Sequence, residues 1–249
     1  MDFFNPTPTI ATEKKQAEDY DQFQERVHGA EFKSMRNFIV SALSSNSEDK
    51  MRVLDCGTGT GDIAIRIADT FSTASIVGID ASEEYLNVFS KKISDKGLEG
   101  RVFSKKSDLR GEFSVDLGIF DYAVSQYVFH YKFDRIKLFS EIYRMLKPSG
   151  KLIFGVVVPS EDQFENSKYF LQVEENSYNF YIEHDFSFEE SRRNAKRDRL
   201  WLMTYSEAHG STDHLPVWIN DLQRAGFIDP KCLWRVSMDT VISATKPAV

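Results

Sequence analysis

The chain has 249 residues, of which 41% are hydrophobic and 28% charged, including 20 phenylalanines. That composition excludes a wholly disordered chain and supplies a core large enough to stand without disulfide staples. The formal net charge of −7 argues against broad, non-specific nucleic-acid binding, which needs many phosphate-neutralising cations; it leaves room for one local basic site, so nucleic acid is a disfavoured partner rather than an excluded one.

Residues 1–12 hold two prolines and no periodicity, and a tail is expected there. They lack a basic stretch followed by an apolar run, so no signal peptide is expected, and no run reaches the length of a membrane span. With only Cys56 and Cys232 and no metal-ligand spacing, a reducing, cytoplasmic setting, no membrane and no metal are expected. Tyr20, Phe23 and Val27, then Phe32, Met35 and Ile39, recur at helical spacing. Two helices follow, with a break near His28-Gly29 and a polar loop over 44–50.

From there strands and helices alternate. Strands are expected at 52–56, 75–79, 101–104, 121–125 and 152–158. Helices fill 62–71, the stretch opened by Ser82 as N-cap, and a stretch carrying Ile136, Phe139, Ile142 and Leu146. The apolar run 152–158 suits a central strand buried on both faces. The expected fold is α/β: a doubly wound, mostly parallel seven-stranded sheet with helices on both faces. Regularity lapses over 159–213, with helical pieces near 161–176 and 186–199. It returns in a helix from His214 to Ala225-Gly226-Phe227 and in two strands, 228–236 and 239–245, which would form an antiparallel C-terminal hairpin. The chain reads as one domain, with 13–45 as an N-terminal helical lid and 159–213 as an insertion capping a substrate.

The chemistry sits after the first strand, in Asp55-Cys-Gly-Thr-Gly-Thr-Gly61. Gly57, Gly59 and Gly61 allow backbone to approach a ligand and turn into a helix. An acidic residue, Asp80, ends the next strand, where a carboxylate can take both hydroxyls of a ribose. A nicotinamide or flavin dinucleotide is the rival ligand. Its fingerprint is G-x-G-x-x-G, whereas this loop is G-x-G-x-G; the carboxylates of Asp55 and Asp62 would repel a pyrophosphate and suit a ligand carrying an ammonium and a sulfonium.

These residues resemble the class I S-adenosylmethionine-dependent methyltransferases. The resemblance is carried by 53–61, 76–80, Ser107-Asp108-Leu109, the run from Phe120-Asp121 to Tyr131, and Leu146-Lys-Pro-Ser-Gly-Lys-Leu152. Ala225-Gly226-Phe227 and the last two strands add to it. It implies a Rossmann-like fold, S-adenosyl-L-methionine as cofactor and S-adenosyl-L-homocysteine as product. It also implies that Gly57 and Gly59 lie along the methionine part, that Asp55 organises its ammonium, and that Asp80 takes the ribose hydroxyls with Ala81 beside the adenine. Asp108 would accept from the adenine amino group and Leu109 offer a backbone amide. Ser125, Gln126 and Tyr127 would approach the amino-acid end and the reacting methyl.

Of the remaining candidates, His130 has the right ordinary pKa for a general base, with a packing histidine as the plainer reading; Tyr127 stands beside it. Tyr20, Phe23 and Arg26 would form a lid over the cofactor or simply pack a helix. The run Arg192-Arg193-Asn194-Ala195-Lys196-Arg197-Asp198-Arg199 is locally basic and would hold an anion or form a solvated helix face; Trp201, Tyr205 and His209 would line an aromatic pocket. The leading expectation is methylation of a small-molecule acceptor. A tRNA or protein methyltransferase, a non-catalytic cofactor-binding protein and a homodimer stand as alternatives to be separated.

Overall fold

The computed structural model describes residues 10–43, 50–111, 113, 117–131, 134–209 and 213–248. The expected alternation is present. β1 (Arg52–Cys56), α2 (Asp62–Thr70), β2 (Ser75–Asp80), α3 (Glu83–Asp95) and β3 (Val102–Lys106) follow a long first helix, α1 (Ile10–Ser41). Then come β4 (Phe120–Gln126), α4 (Arg135–Met145), β5 (Leu146–Val157), α5 (Gln163–Glu183), α6 (Phe188–His209), α7 (Leu215–Arg224), β6 (Ile228–Val236) and β7 (Asp239–Thr245). The sheet order is β3-β2-β1-β4-β5-β7-β6. β3, β2, β1, β4 and β5 run parallel, and β7 pairs antiparallel with both β5 and β6. The strand order reverses between β1 and β4, so the crevice beyond their carboxyl ends is where an open α/β sheet binds ligand.

Side-chain alternation along the strands divides the core into two layers. Val53 and Ile76 face Met35, Ile39, Ile63, Ile67 and Phe89, beneath α1, α2 and α3. Leu54 and Val77 face the other way, with Phe120, Phe139, Phe154, Trp218 and Leu222 under α4 and α7. Ser82 caps α3 by accepting from the Tyr85 amide at 3.3 Å, as its residue type suggests. Arg135 lies over the Trp218 ring at 4.5 Å and pairs with Asp213 and Asp221, pinning α4 to α7.

α1 starts at Ile10, inside the stretch expected to be a tail; residues 1–9 lie outside the described residues, as do 44–49 of the expected loop. The expected break is a kink at Gly29, with φ 54° and ψ −132°. The second half of α1 lies in the main core, where Met35 and Ile39 are fully buried. In the first half, Val27 instead joins Tyr169 and Val173 of α5, and Met238, in a separate cluster. β5 begins at Leu146, earlier than expected, because a register irregularity between Phe120 and Tyr122 lets Leu146 pair with β4 across the Pro148-Ser149-Gly150 turn.

Candidate functional site

The loop after β1 folds back onto β2: the amides of Gly57 and Thr58 both donate to the Ile79 carbonyl, at 2.8 and 2.9 Å. Asp55 is therefore drawn down to 1% exposure. Its carboxylate accepts from the Thr58 hydroxyl at 2.6 Å. Burial pushes its pKa up to about 7, with the Asp80 and Asp62 charges adding to the rise. Asp80 accepts at 2.9 Å from the Gly59 amide with one oxygen and at 2.9 Å from the Ser82 amide with the other. Burial raises its pKa as well. Among the described residues neither carboxylate has a cationic partner.

Asp55 lines a cleft with Tyr20, Gly57, Gly59, Asp62 and Gln126, among others, and Asp80 adjoins it through its bond to Gly59. Gly59 faces the opening. A Cβ there would approach only the Tyr20 ring, at 3.9 Å, so its backbone is bare toward the cleft. Gly61 has a structural reason of its own to be glycine: a Cβ there would stand 1.8 Å from the Phe89 ring.

Several candidate residues are engaged in ways their types did not announce. Asp62 does not present a bare negative charge, because Arg36 and Lys92 pair with it at 2.6 and 3.1 Å. It therefore argues less strongly against a pyrophosphate than its position suggests. The Ser125 hydroxyl donates to the Cys56 carbonyl at 2.7 Å, and the residue is fully buried within β4 beside β5. Asp108 is held by Arg110, whose Nε lies 3.0 Å from one oxygen and whose terminal nitrogen lies 2.7 Å from the other; that hydrogen-bonded pairing keeps the Asp108 carboxyl below its ordinary pKa. Leu109 is buried in the second core layer, while Ala81, beside Asp80, is exposed. Arg26 is not brought to the loop: its Nε donates to Asp198 at 2.9 Å and its guanidinium lies over Phe23, Phe180 and Tyr181. Asp198 is thus buried out of the basic run, Arg199 pairs with Glu174, and Arg192, Arg193, Lys196 and Arg197 form an exposed α6 face. Trp201 packs edge-to-face on Phe23 at 5.2 Å; the Tyr205 and His209 side chains lie outside the described residues.

Next to Gln126, Tyr127 holds a left-handed φ of 57°, an uncommon conformation for a bulky residue and one that concentrates at functional sites. Its ring stacks on His28 of α1 at 4.7 Å and meets His130 edge-on at 6.1 Å. Burial pushes His28 down to about 3, helped by the nearby His130, and His130 down to about 4. Both imidazoles are therefore neutral near pH 7. Asp21 and His28 carry no sequence signal: they are ordinary helix residues until the fold brings Asp21 to the cleft and His28 against Tyr127. Among the described residues no group of three or more His, Cys, Asp or Glu is placed to hold a metal, and no helix is long and apolar enough to cross a membrane.

Residues 47–201 match the family described as "Methyltransferase domain". A ubiquinone/menaquinone biosynthesis C-methyltransferase of Geobacter sp. (strain M21) is 37% identical over 119 residues, covering 47% of this chain and 49% of that protein. A demethylmenaquinone methyltransferase of Thermus thermophilus is 32% identical over 125 residues, 50% of this chain and 54% of that one. The chain thus matches about half the length of these curated relatives. An O-methyltransferase family protein from Burkholderia thailandensis superposes with a TM-score of 0.65 at 14% identity, covering 96% of this chain and 61% of that one. The Haemonchus contortus phosphoethanolamine N-methyltransferase 2, solved with S-adenosyl-L-methionine, gives 0.63 at 18% identity, with 94% and 57% covered. At such identities the two structures establish a shared fold.

Proposed function

This chain belongs to the methyltransferase domain family, and on that premise we propose that it is an S-adenosyl-L-methionine-dependent methyltransferase acting on a small-molecule acceptor. The observation that carries the proposal is that buried Asp55 and half-buried Asp80, hydrogen-bonded to Thr58 and Gly59 of the same loop, have no cationic partner among the described residues. A dinucleotide would bring a pyrophosphate to this place. A ligand with an ammonium for the Asp55 end and ribose hydroxyls for Asp80 fits the donor set without leaving a buried charge unmatched. When bound, the cofactor supplies a methyl group activated by a sulfonium and leaves as S-adenosyl-L-homocysteine.

The protein's part is to bind, align and exclude water. Asp80 takes the ribose hydroxyls. Ala81 and the Leu109 amide flank the adenine, and Asp108 reaches its amino group once shared with Arg110. Gln126 bounds the amino-acid end, and Tyr20 covers Gly59. Arg26, committed to Asp198, serves the cap instead. We assign 13–45 as the lid and 159–213 as the cap over the acceptor. Tyr127, His28 and His130 then form an uncharged aromatic wall on the acceptor side. That wall, and relatives named for quinone biosynthesis, make a reduced naphthoquinone the first acceptor to try. With two unpaired cysteines, a cytoplasmic setting fits the same reading.

Two outcomes follow. First, an ammonium beside Asp55 favours its charged form, so binding must expel the proton that Asp55 holds below pH 7. Calorimetry in buffers of different ionisation enthalpy is expected to show proton release on S-adenosyl-L-homocysteine binding at pH 6, shrinking as the pH rises through 7. No release at pH 6 would separate Asp55 from the ammonium. The sign for stability is the reverse of an ordinary paired carboxylate. A group raised from 3.8 to about 7 supports the cofactor-free fold most at low pH, and that support is lost as pH rises between those values.

Second, a histidine pushed down to about 4 is a weak proton acceptor. His130→Ala should keep its maximal rate within a few-fold from pH 6 to 9, whereas removal of a general base costs roughly 100- to 10,000-fold. A loss of that size would restore His130 as the base.

A further inference from the structure

The first half of α1 packs on both the cap and the core, where His28 stacks on Tyr127 at 4.7 Å and Val27 shares a cluster with Met238. On the cap side, Val27 shares a cluster with Tyr169 and Val173 of α5, and Arg26 is bound to Asp198 of α6. On the core side, Tyr20 meets Tyr85 of α3 edge-on at 5.0 Å. Beside it, Asp21 lines the cleft and uses both carboxylate oxygens on the core. One accepts from the Thr60 hydroxyl, within the glycine loop, at 2.5 Å, and the other from the Lys92 ammonium of α3 at 2.5 Å. Lys92 also reaches Asp62 at 3.1 Å, so α1, α2 and α3 are tied through this cation and the loop through Asp21.

The second half of α1 does not need this tie. Arg36 pairs with Asp62, and Met35 and Ile39 are fully buried in the main core. Between the halves stands Gly29, at φ 54° and ψ −132°, a conformation essentially confined to glycine. A rigid anchor, a glycine joint and a two-oxygen catch make a lid that turns at one point and closes at another.

We propose that Asp21 is a positioning residue that latches the first half of α1 onto the cofactor loop, with Gly29 as the hinge, and thereby sets how fast the cofactor and its product leave. The proposal rests on the cofactor reading above. Its chemistry favours the role: charge-assisted hydrogen bonds are strong enough to hold a lid, while the pair is half-exposed, with Asp21 39% and Lys92 27% exposed, and so can break and reform.

The test uses the full chain and two variants, Asp21→Asn and Lys92→Met. S-adenosyl-L-homocysteine release is timed by displacement with excess S-adenosyl-L-methionine, and amide hydrogen exchange is followed without any ligand. Release is expected to quicken about tenfold in both variants, with little change in melting temperature. Amides of residues 17–28 should exchange faster in both, and those of 33–43 should not. If only Asp21→Asn quickens release, Asp21 contacts the ligand directly and the latch is wrong. If exchange over 17–28 is unchanged in both variants, the latch is also wrong. If the unaltered chain fails to bind the product at all, the cofactor reading falls, and the exchange measurement still decides the latch.

Discussion

Asp80→Ala is expected to weaken S-adenosyl-L-homocysteine binding by at least roughly 100-fold, because a carboxylate accepting two ribose hydroxyls loses two charge-assisted hydrogen bonds of about 1.5–3 kcal/mol each. The change also strips the Gly59 and Ser82 amides of their acceptor. The bare loop backbone and the start of α3 are then left to solvent or to each other. Asp80→Asn keeps one oxygen acceptor and should fall between the two, at about tenfold. Because both Asp80 oxygens accept from backbone amides, the asparagine NH2 would face one of those N–H groups, so this variant should also be less stable than the parent without ligand. Equal affinity in all three proteins would show that Asp80 does not hold the ribose.

Gly61→Ala has the largest expected effect on stability. Its Cβ would stand 1.8, 2.3 and 2.5 Å from three atoms of the Phe89 ring, in a backbone at φ 84°. The ring cannot step aside, since Phe89 is fully buried and lies 2.6 Å from where a Cβ on Gly78 would stand. Left-handed backbone costs about 1–2 kcal/mol for alanine, and forced displacement of a packed core side chain about 1–3 kcal/mol or more. At about 2–4 °C per kcal/mol for a chain of this size, the melting temperature should fall by roughly 5–20 °C. Adding Phe89→Ala removes the obstacle, so the double variant should be more stable than the sum of the two losses predicts. A melting temperature unchanged by Gly61→Ala would mean that the α2–α3 packing is not as described.

Much of this was legible in the sequence, for identifiable reasons. Helical periodicity and β-rich runs placed the strands and helices over 52–145 and 214–245, because each buries a face whose period is its own, whereas α5 and α6 run to Glu183 and His209, well past the pieces expected there. Gly29 marked the α1 kink because no other residue suits its backbone. Asp55 and Gly59 of the cleft, and Asp80 bonded to Gly59, stood out because they lie at fixed offsets from two strand ends. What was not legible depends on partners far away in the chain. Arg26 reads as a lid cation until Asp198, 172 positions on, is seen beside it. Asp62 reads as a bare charge until Arg36 and Lys92 arrive from two other helices. Asp21 is an ordinary helix aspartate until the glycine loop is folded beneath it. The early start of β5 followed from an irregular pairing with β4 that no local pattern announces.

The most direct test of the whole account is calorimetric titration of the unaltered chain with S-adenosyl-L-homocysteine, with NADH as the comparison ligand. Saturable, one-to-one binding of the former and no heat from the latter are expected. No binding at millimolar S-adenosyl-L-homocysteine, or tight binding of NADH in its place, would contradict it.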